Sequence, residues 1–274
     1  MPHLEVNGAR LHYEDTGAGD ETIVFAHGLL WSGAMYRFQV DALRDRYRCV
    51  TFDFRGQGRS EVTRAGYDME TLADDAAALV ERLGCAPCHF VGLSMGGFVG
   101  LRLAIRRPEL LRSLVLLESA ADAEPLHNRP RYAAMALVAR FVGVAPLAEP
   151  VMRIMFGRAF LDDPARRELR DQMRRELLAV DRRGAMRATL GVIGRRSVED
   201  RLGAIRVPTL VASGEADTAV VAARSRRTAE RIPGARFVTL PRAGHTSSIE
   251  EPERVTETIA RFLDDVRAKA VAAR

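Results

Sequence analysis

The sequence predicts an α/β fold: a mostly parallel central sheet flanked by helices, with a helical cap inserted late in the chain. Three observations lead there. Short apolar runs alternate with amphipathic stretches of helical period. The runs are apolar at successive positions, as in strands covered on both faces. The alternation stops after about Ala121 and resumes near Thr209.

The elements follow in order. Asn7-Gly8 separates Leu4-Glu5-Val6 from Arg10-Leu11-His12-Tyr13, and Asn-Gly between alternating segments is a two-residue hairpin turn. Thr22 to Ala26 reads as a buried central strand ending at His27-Gly28, and Tyr36 to Leu43 as a helix. Tyr47 to Phe54 is a second buried strand, closed by the turn Arg55-Gly56-Gln57-Gly58. Thr71 to Leu83 places Leu72, Ala76, Leu79, Val80 and Leu83 on one helical face, and Gly84 stops it. Phe90 to Leu93 is a strand running into Ser94, Met95 to Ile105 a helix ended before Pro108, and Ser113 to Leu117 another strand. Residues 122–206 hold helical patterns, five prolines and no convincing strand. They are expected to form the cap, with residues 1–121 and 207–274 forming the core domain. Strands return at Thr209–Ala212 and Ala235–Leu240, and a last helix starts near Glu251-Pro252.

Composition narrows the function classes. The 274 residues are 47% hydrophobic and 28% charged, as expected of a globular protein. No apolar run approaches the roughly 20 residues that span a bilayer, and the N-terminus reads as a strand rather than a secretory signal. The expectation is a cytoplasmic protein without membrane attachment. The net charge of +5 comes almost wholly from arginine, Lys269 being the only lysine. The arginines are dispersed and interleaved with acids, and aromatics are only 6%. A nucleic-acid binder gathers its charge into a stripe and adds stacking rings, so no nucleic-acid partner is expected. A homo-oligomer is left open. Three cysteines, Cys49, Cys85 and Cys88, make no disulfide framework. The Cys85-Ala86-Pro87-Cys88 spacing precedes a strand instead of opening a helix, so two inert thiols are expected rather than a redox or metal pair.

Gly92-Leu93-Ser94-Met95-Gly96 fits the G-x-S-x-G nucleophile elbow, a tight strand-to-helix turn that lifts the serine hydroxyl clear of the sheet. A serine needs a base. Of six histidines, His245 in Pro241-Arg242-Ala243-Gly244-His245 follows the last strand. It therefore lies at the edge where ligands gather on open parallel sheets. His27 is its one competitor at a strand end, and its neighbours suggest that it shapes a loop. Asp217, after the strand ending near Ser213, is the acid expected to orient the base, because Ser94, Asp217, His245 is the expected chain order. Glu118 and Glu215 are the alternatives. The backbone N–H groups of Met95 and Leu29 are the expected oxyanion donors. Trp31, Phe98, Met135, Phe141, Met152 and Met155 are candidates for substrate contact, Trp31 foremost. Each is also explained by packing of the cap.

With these residues the sequence resembles the α/β-hydrolase superfamily over almost its whole length. His27-Gly28 resembles its oxyanion loop, and Asp53-Phe54-Arg55-Gly56-Gln57-Gly58-Arg59-Ser60 its D-x-R-G-x-G-x-S turn. Gly92 to Gly97 resembles its elbow, and Gly214 to Asp217 and Gly244-His245 its acid and base loops. Asp53 and Arg55 are expected to be structural. Within the superfamily the sequence is most similar to small esterases, enol-lactonases of the 3-oxoadipate type and cofactor-free perhydrolases. Dehalogenases and epoxide hydrolases carry aspartate where Ser94 stands. The resemblance implies hydrolysis of a small-molecule ester or lactone through an acyl-enzyme, with no metal or organic cofactor. C–C bond hydrolysis or perhydrolysis by the same triad is the alternative, and a ligand sensor on the same scaffold a third reading.

Overall fold

The computed structural model describes residues 2–272. Its strands are β1 (His3–Val6), β2 (Ala9–Asp15), β3 (Thr22–Ala26), β4 (Arg48–Phe52), β5 (Cys88–Leu93), β6 (Leu111–Leu117), β7 (Thr209–Gly214) and β8 (Arg236–Leu240). They form one sheet in the order β1-β2-β4-β3-β5-β6-β7-β8, parallel throughout except for antiparallel β1 and β2. The helices before the insertion are α1 (Arg37–Leu43), α2 (Met69–Arg82) and α3 (Met95–Arg106). Between β6 and β7 lie α4 (Arg129–Phe141), α5 (Ala148–Met155), α6 (Arg158–Leu161), α7 (Arg167–Leu178) and α8 (Arg182–Ile193), and no strand. The chain ends with α9 (Ala222–Arg231), α10 (Ser247–Glu250) and α11 (Pro252–Ala272).

Local chemistry explains the boundaries. The β1–β2 hairpin turns on Asn7 and Gly8, both at positive φ, with Val6 paired to Ala9. That twist matches the flanking strands. Helix α2 starts where the Asp68 carboxylate accepts from the Thr71 N–H at 2.9 Å. It stops at Gly84, whose positive φ lets the next amide turn back to Val80.

Alternate residues of β3 feed two cores. Val24 and Ala26 pack with α2 and α3 on one face, while Ile23 and Phe25 pack with Leu43 of α1 and with Ile259 and Leu263 of α11 on the other. The central strands are therefore buried from end to end. Strand β8 departs from the expectation of two apolar faces: it is half exposed, because it forms the sheet's edge. No described helix is long and apolar enough to cross a membrane.

The strand order positions the site. From β3 the chain steps to β4 on one side and then crosses to β5 on the other, with Ala26 level with Gly92. At such a reversal the loops leaving the two neighbouring strands part and open a crevice at their C-terminal ends. The loop after β3 and the turn after β5 both open there.

Candidate active site

Ser94 follows β5 at φ +50° and ψ −109°, a conformation side chains seldom adopt. The strain is held by its surroundings. Its N–H donates to Leu117 O at 2.8 Å, and the Gly96 N–H donates to His27 O at 3.1 Å. A Cβ on Gly96 would stand 2.0 Å from the Ala26 carbonyl oxygen, so only glycine lets α3 start this close to β3.

The Ser94 Oγ lies 2.8 Å from His245 Nε2, and His245 Nδ1 lies 2.8 Å from Asp217 Oδ2. A carboxylate only accepts, so Nδ1 carries the proton and Nε2 is left to accept from the serine hydroxyl. The other Asp217 oxygen accepts from the Ala219 and Val220 amides at 2.8 and 3.0 Å. All three side chains are buried. Three groups expected from distant stretches of sequence thus meet at the C-terminal edge of β5, β7 and β8.

The competing residues have other partners. His27 is fully buried; its Nδ1 donates to Gly28 O at 2.7 Å and its Nε2 accepts from the Phe54 N–H at 2.9 Å. Burial holds this imidazole below its ordinary range, which fits a neutral ring clamping the loop after β3 to the turn after β4. Glu118 accepts from the Gly214 N–H and from the Ser247 hydroxyl, and burial pushes its carboxyl well above the usual range. Glu215 is exposed. Asp53 receives the Gly33 and Arg59 amides and His12 Nδ1, and Arg55 makes a bidentate pair with Asp75 at 2.7 Å. Both hold the turn rather than facing the cavity.

In the loop after β3, the Gly28 amide donates to Met35 Sδ and the Leu30 amide to Gln57 Oε1. The intervening Leu29 amide and the Met95 amide find no acceptor among the described residues. Leu29, Ser94 and His245 share the wall of a cavity of about 120 Å³. The rest of the wall comes largely from α4, α5 and α8 and is mostly apolar, with Phe98, Met135 and Met155 among its residues.

Trp31, Phe141 and Met152 lie elsewhere. Trp31 packs edge-on against Phe156, with ring centroids 5.6 Å apart, within the α11-side core. Met152 is buried in that same core. Phe141 is 71% exposed, at the C-terminal end of α4, under the Arg140 guanidinium. Sequence position alone gave no helix orientation, so the inward and outward faces of the insertion were not separable.

Four polar residues of the site carry no motif. Glu124, Tyr132 and Arg195 line the cavity. Glu250 sits behind it: its carboxylate accepts from the Gly244 and Thr246 amides, which flank His245, and from the Gly157 amide of the insertion, at 2.8 to 2.9 Å. The only signal for Glu250 is its place five residues after the histidine. Cys49, Cys85 and Cys88 are buried and form no disulfide, and burial pushes the first two thiols up to about 12 and about 11.

A family model described as alpha/beta hydrolase fold matches residues 21–252. The chain is similar to the crystal structure of the enol-lactonase from Burkholderia xenovorans LB400: 31% identity, TM-score 0.88, covering 96% of this chain and 100% of that one. It is similar also to a thermophilic esterase from Thermogutta terrifontis: 30% identity, TM-score 0.90, covering 97% and 99%. Among curated proteins it is 31% identical over 266 residues to the one named "Putative carbamate hydrolase RutD" in Variovorax paradoxus (strain S110), covering 96% of this chain and 99% of that one.

Proposed function

This chain belongs to the alpha/beta hydrolase family, whose model spans residues 21–252, and it is a hydrolase; on that premise we propose that it cleaves a carboxylic ester or lactone through an acyl-enzyme. The observation that carries the reading is the pair of 2.8 Å contacts at His245, to Ser94 on one side and Asp217 on the other.

Ser94 Oγ attacks the substrate carbonyl as its proton passes to His245 Nε2. Asp217 keeps Nδ1 protonated and stabilises the imidazolium that forms. The oxyanion is received by the Leu29 and Met95 amides, a contribution worth about 10²–10³ in rate per donor. The N-terminus of α3 adds its positive end at the same place. Collapse expels the alkoxide, which takes the proton from His245. Water then enters, gives its proton to His245 and releases the acid from Ser94. The helical segment 122–206 supplies most of the apolar wall, so selection among acyl or alcohol groups belongs to it. Relatives named as an esterase and an enol-lactonase support this substrate class.

Turnover of short-chain p-nitrophenyl esters tests the reading. The wild-type chain is expected to hydrolyse them and Ser94→Ala to lose about 10⁴-fold or more in kcat. An organophosphonate should attach covalently at Ser94. A folded protein that shows neither turnover nor adduct sinks the proposal.

A further inference from the structure

The cavity above Ser94 adjoins a larger one. The first holds about 120 Å³ inside a mostly apolar wall. The second holds about 570 Å³, and Asn128, Arg131, Glu149, Arg153 and Thr218 make its wall largely polar. Tyr132 and Ile154 line both, so the two spaces meet at this pair of side chains.

Helical period explains why these two residues stand there. On α4, Tyr132, Met135, Ala136 and Ala139 line the inner cavity at the spacing of one helical face. Asn128, Arg131 and Tyr132 repeat at the same spacing along the outer cavity. On α5, Val151, Ile154 and Met155 line the inner cavity, and Pro150, Arg153 and Ile154 the outer one. Each helix thus passes from an apolar stripe to a polar one at a single shared residue. The outer side is solvated: Arg153 and Glu149 pair at 2.9 Å with both side chains mostly exposed. The Arg131 guanidinium lies over the Tyr132 ring, 6.0 Å from its centroid. Burial, with Glu124 nearby, pushes the Tyr132 phenol above its usual range, so at neutral pH the boundary acts by bulk and not by charge.

An apolar chain gains affinity only while it leaves water for an apolar wall, about fourfold for each CH₂ buried. A volume of about 120 Å³ equals the liquid share of about four waters, so it takes about four methylene-sized groups. Further carbons would pass between Tyr132 and Ile154 into polar, wet space and gain little. We infer that Tyr132 and Ile154 determine the acyl length this chain selects, so that its substrates are esters or lactones of short aliphatic acids with about four carbons beyond the carbonyl. This rests on the reading of Ser94 as the attacking group and specifies the acyl class for that site.

Binding and turnover separate the two. Methyl propanoate, pentanoate and heptanoate are titrated into Ser94→Ala by calorimetry, where no reaction intervenes. Pentanoate is expected to bind about tenfold tighter than propanoate, and heptanoate no tighter than pentanoate. Adding Tyr132→Ala and Ile154→Ala opens the boundary, and heptanoate should then bind about tenfold tighter than pentanoate. Ile154→Ala alone, expected to move the plateau in the same direction, serves if the combined variant does not fold. Tyr132→Phe keeps the ring and should keep the plateau, which separates bulk at the boundary from a general loosening of α4. Affinity that still climbs to heptanoate before the boundary is altered, a plateau that the alanines leave in place, or one that Tyr132→Phe abolishes overturns the inference. A plateau that moves as expected in binding, with no wild-type turnover of any ester, leaves the boundary standing and removes the esterase reading instead.

Discussion

Three main-chain amides converge on the carboxylate of Glu250, and two of them bracket His245. The carboxylate therefore fixes the loop carrying His245, while its third amide ties that loop to the insertion. Burial pushes this carboxyl up from 4.5 to about 7, against the amides that hold it down. The folded chain then keeps a proton that the unfolded chain has released. The associated stability is full below about 4.5 and is lost as pH rises through about 7. Glu250→Gln does not titrate, so its Tm should change less with pH across that window than the wild type's; parallel Tm profiles would show that Glu250 titrates normally. The amide also turns one acceptor into a donor facing another donor. A loosened His245 is expected to lower kcat about 10- to 100-fold with a smaller change in KM.

At the scale of elements, α8 determines how closely the insertion sits on the core. Gly184 and Gly191 lie seven residues apart on one face, and a Cβ on either would stand 1.9 Å from a backbone carbonyl oxygen, Gly56 O or Tyr67 O. These lie in the turn after β4 and two residues before α2, so the helix rests on main chain that cannot yield. Alanine gains about 1 kcal/mol in helix propensity over glycine, and overpacking against rigid backbone costs about 1–3 kcal/mol. The clash should win. Gly191→Ala is expected to lower Tm and, because Thr189, Val192 and Ile193 line the cavity, to raise KM for the longer esters. A higher Tm in this variant would mean that α8 shifts freely. The same contrast explains the reading of the insertion. Its helical character was visible in the pattern, but which side of α4 or α5 faces Ser94 depends on such contacts. Met135 and Met155 reach the cavity while Met152 and Phe141 do not.

For the molecule as a whole, the sheet's reversal at β3 joins chemistry to stability, because the buried strands that aim the site also enclose titratable groups. His89 on β5 is fully buried, with Ser113 Oγ 2.8 Å from Nδ1 and Glu21 3.6 Å from Nε2. Burial lowers it from 6.5 to about 4. Here the unfolded chain takes up the proton first. Its contribution is therefore full above about 6.5 and lost as pH falls toward 4, opposite in sense to Glu250. Replacing it in His89→Gln should flatten the acid limb of the Tm curve; an unchanged acid limb would place the cause elsewhere.

The strands and the candidate residues Ser94, His245 and Asp217 were legible in the sequence because each depends on local chemistry. A buried strand must be apolar, an elbow must spare its glycines, and a residue just past a strand's end inherits the active edge. The amino-acid order alone thus determined the sheet, the chain order of Ser94, Asp217 and His245, and the loop carrying Leu29. Only the tertiary structure decided which groups His27 clamps together, that Trp31 belongs to the core, that Arg195 lines the cavity and that Glu250 braces the loop carrying His245. Those assignments rest on hydrogen bonds and burial across separations such as the 71 residues between Arg195 and Glu124 and the 93 between Gly157 and Glu250, which no local pattern encodes.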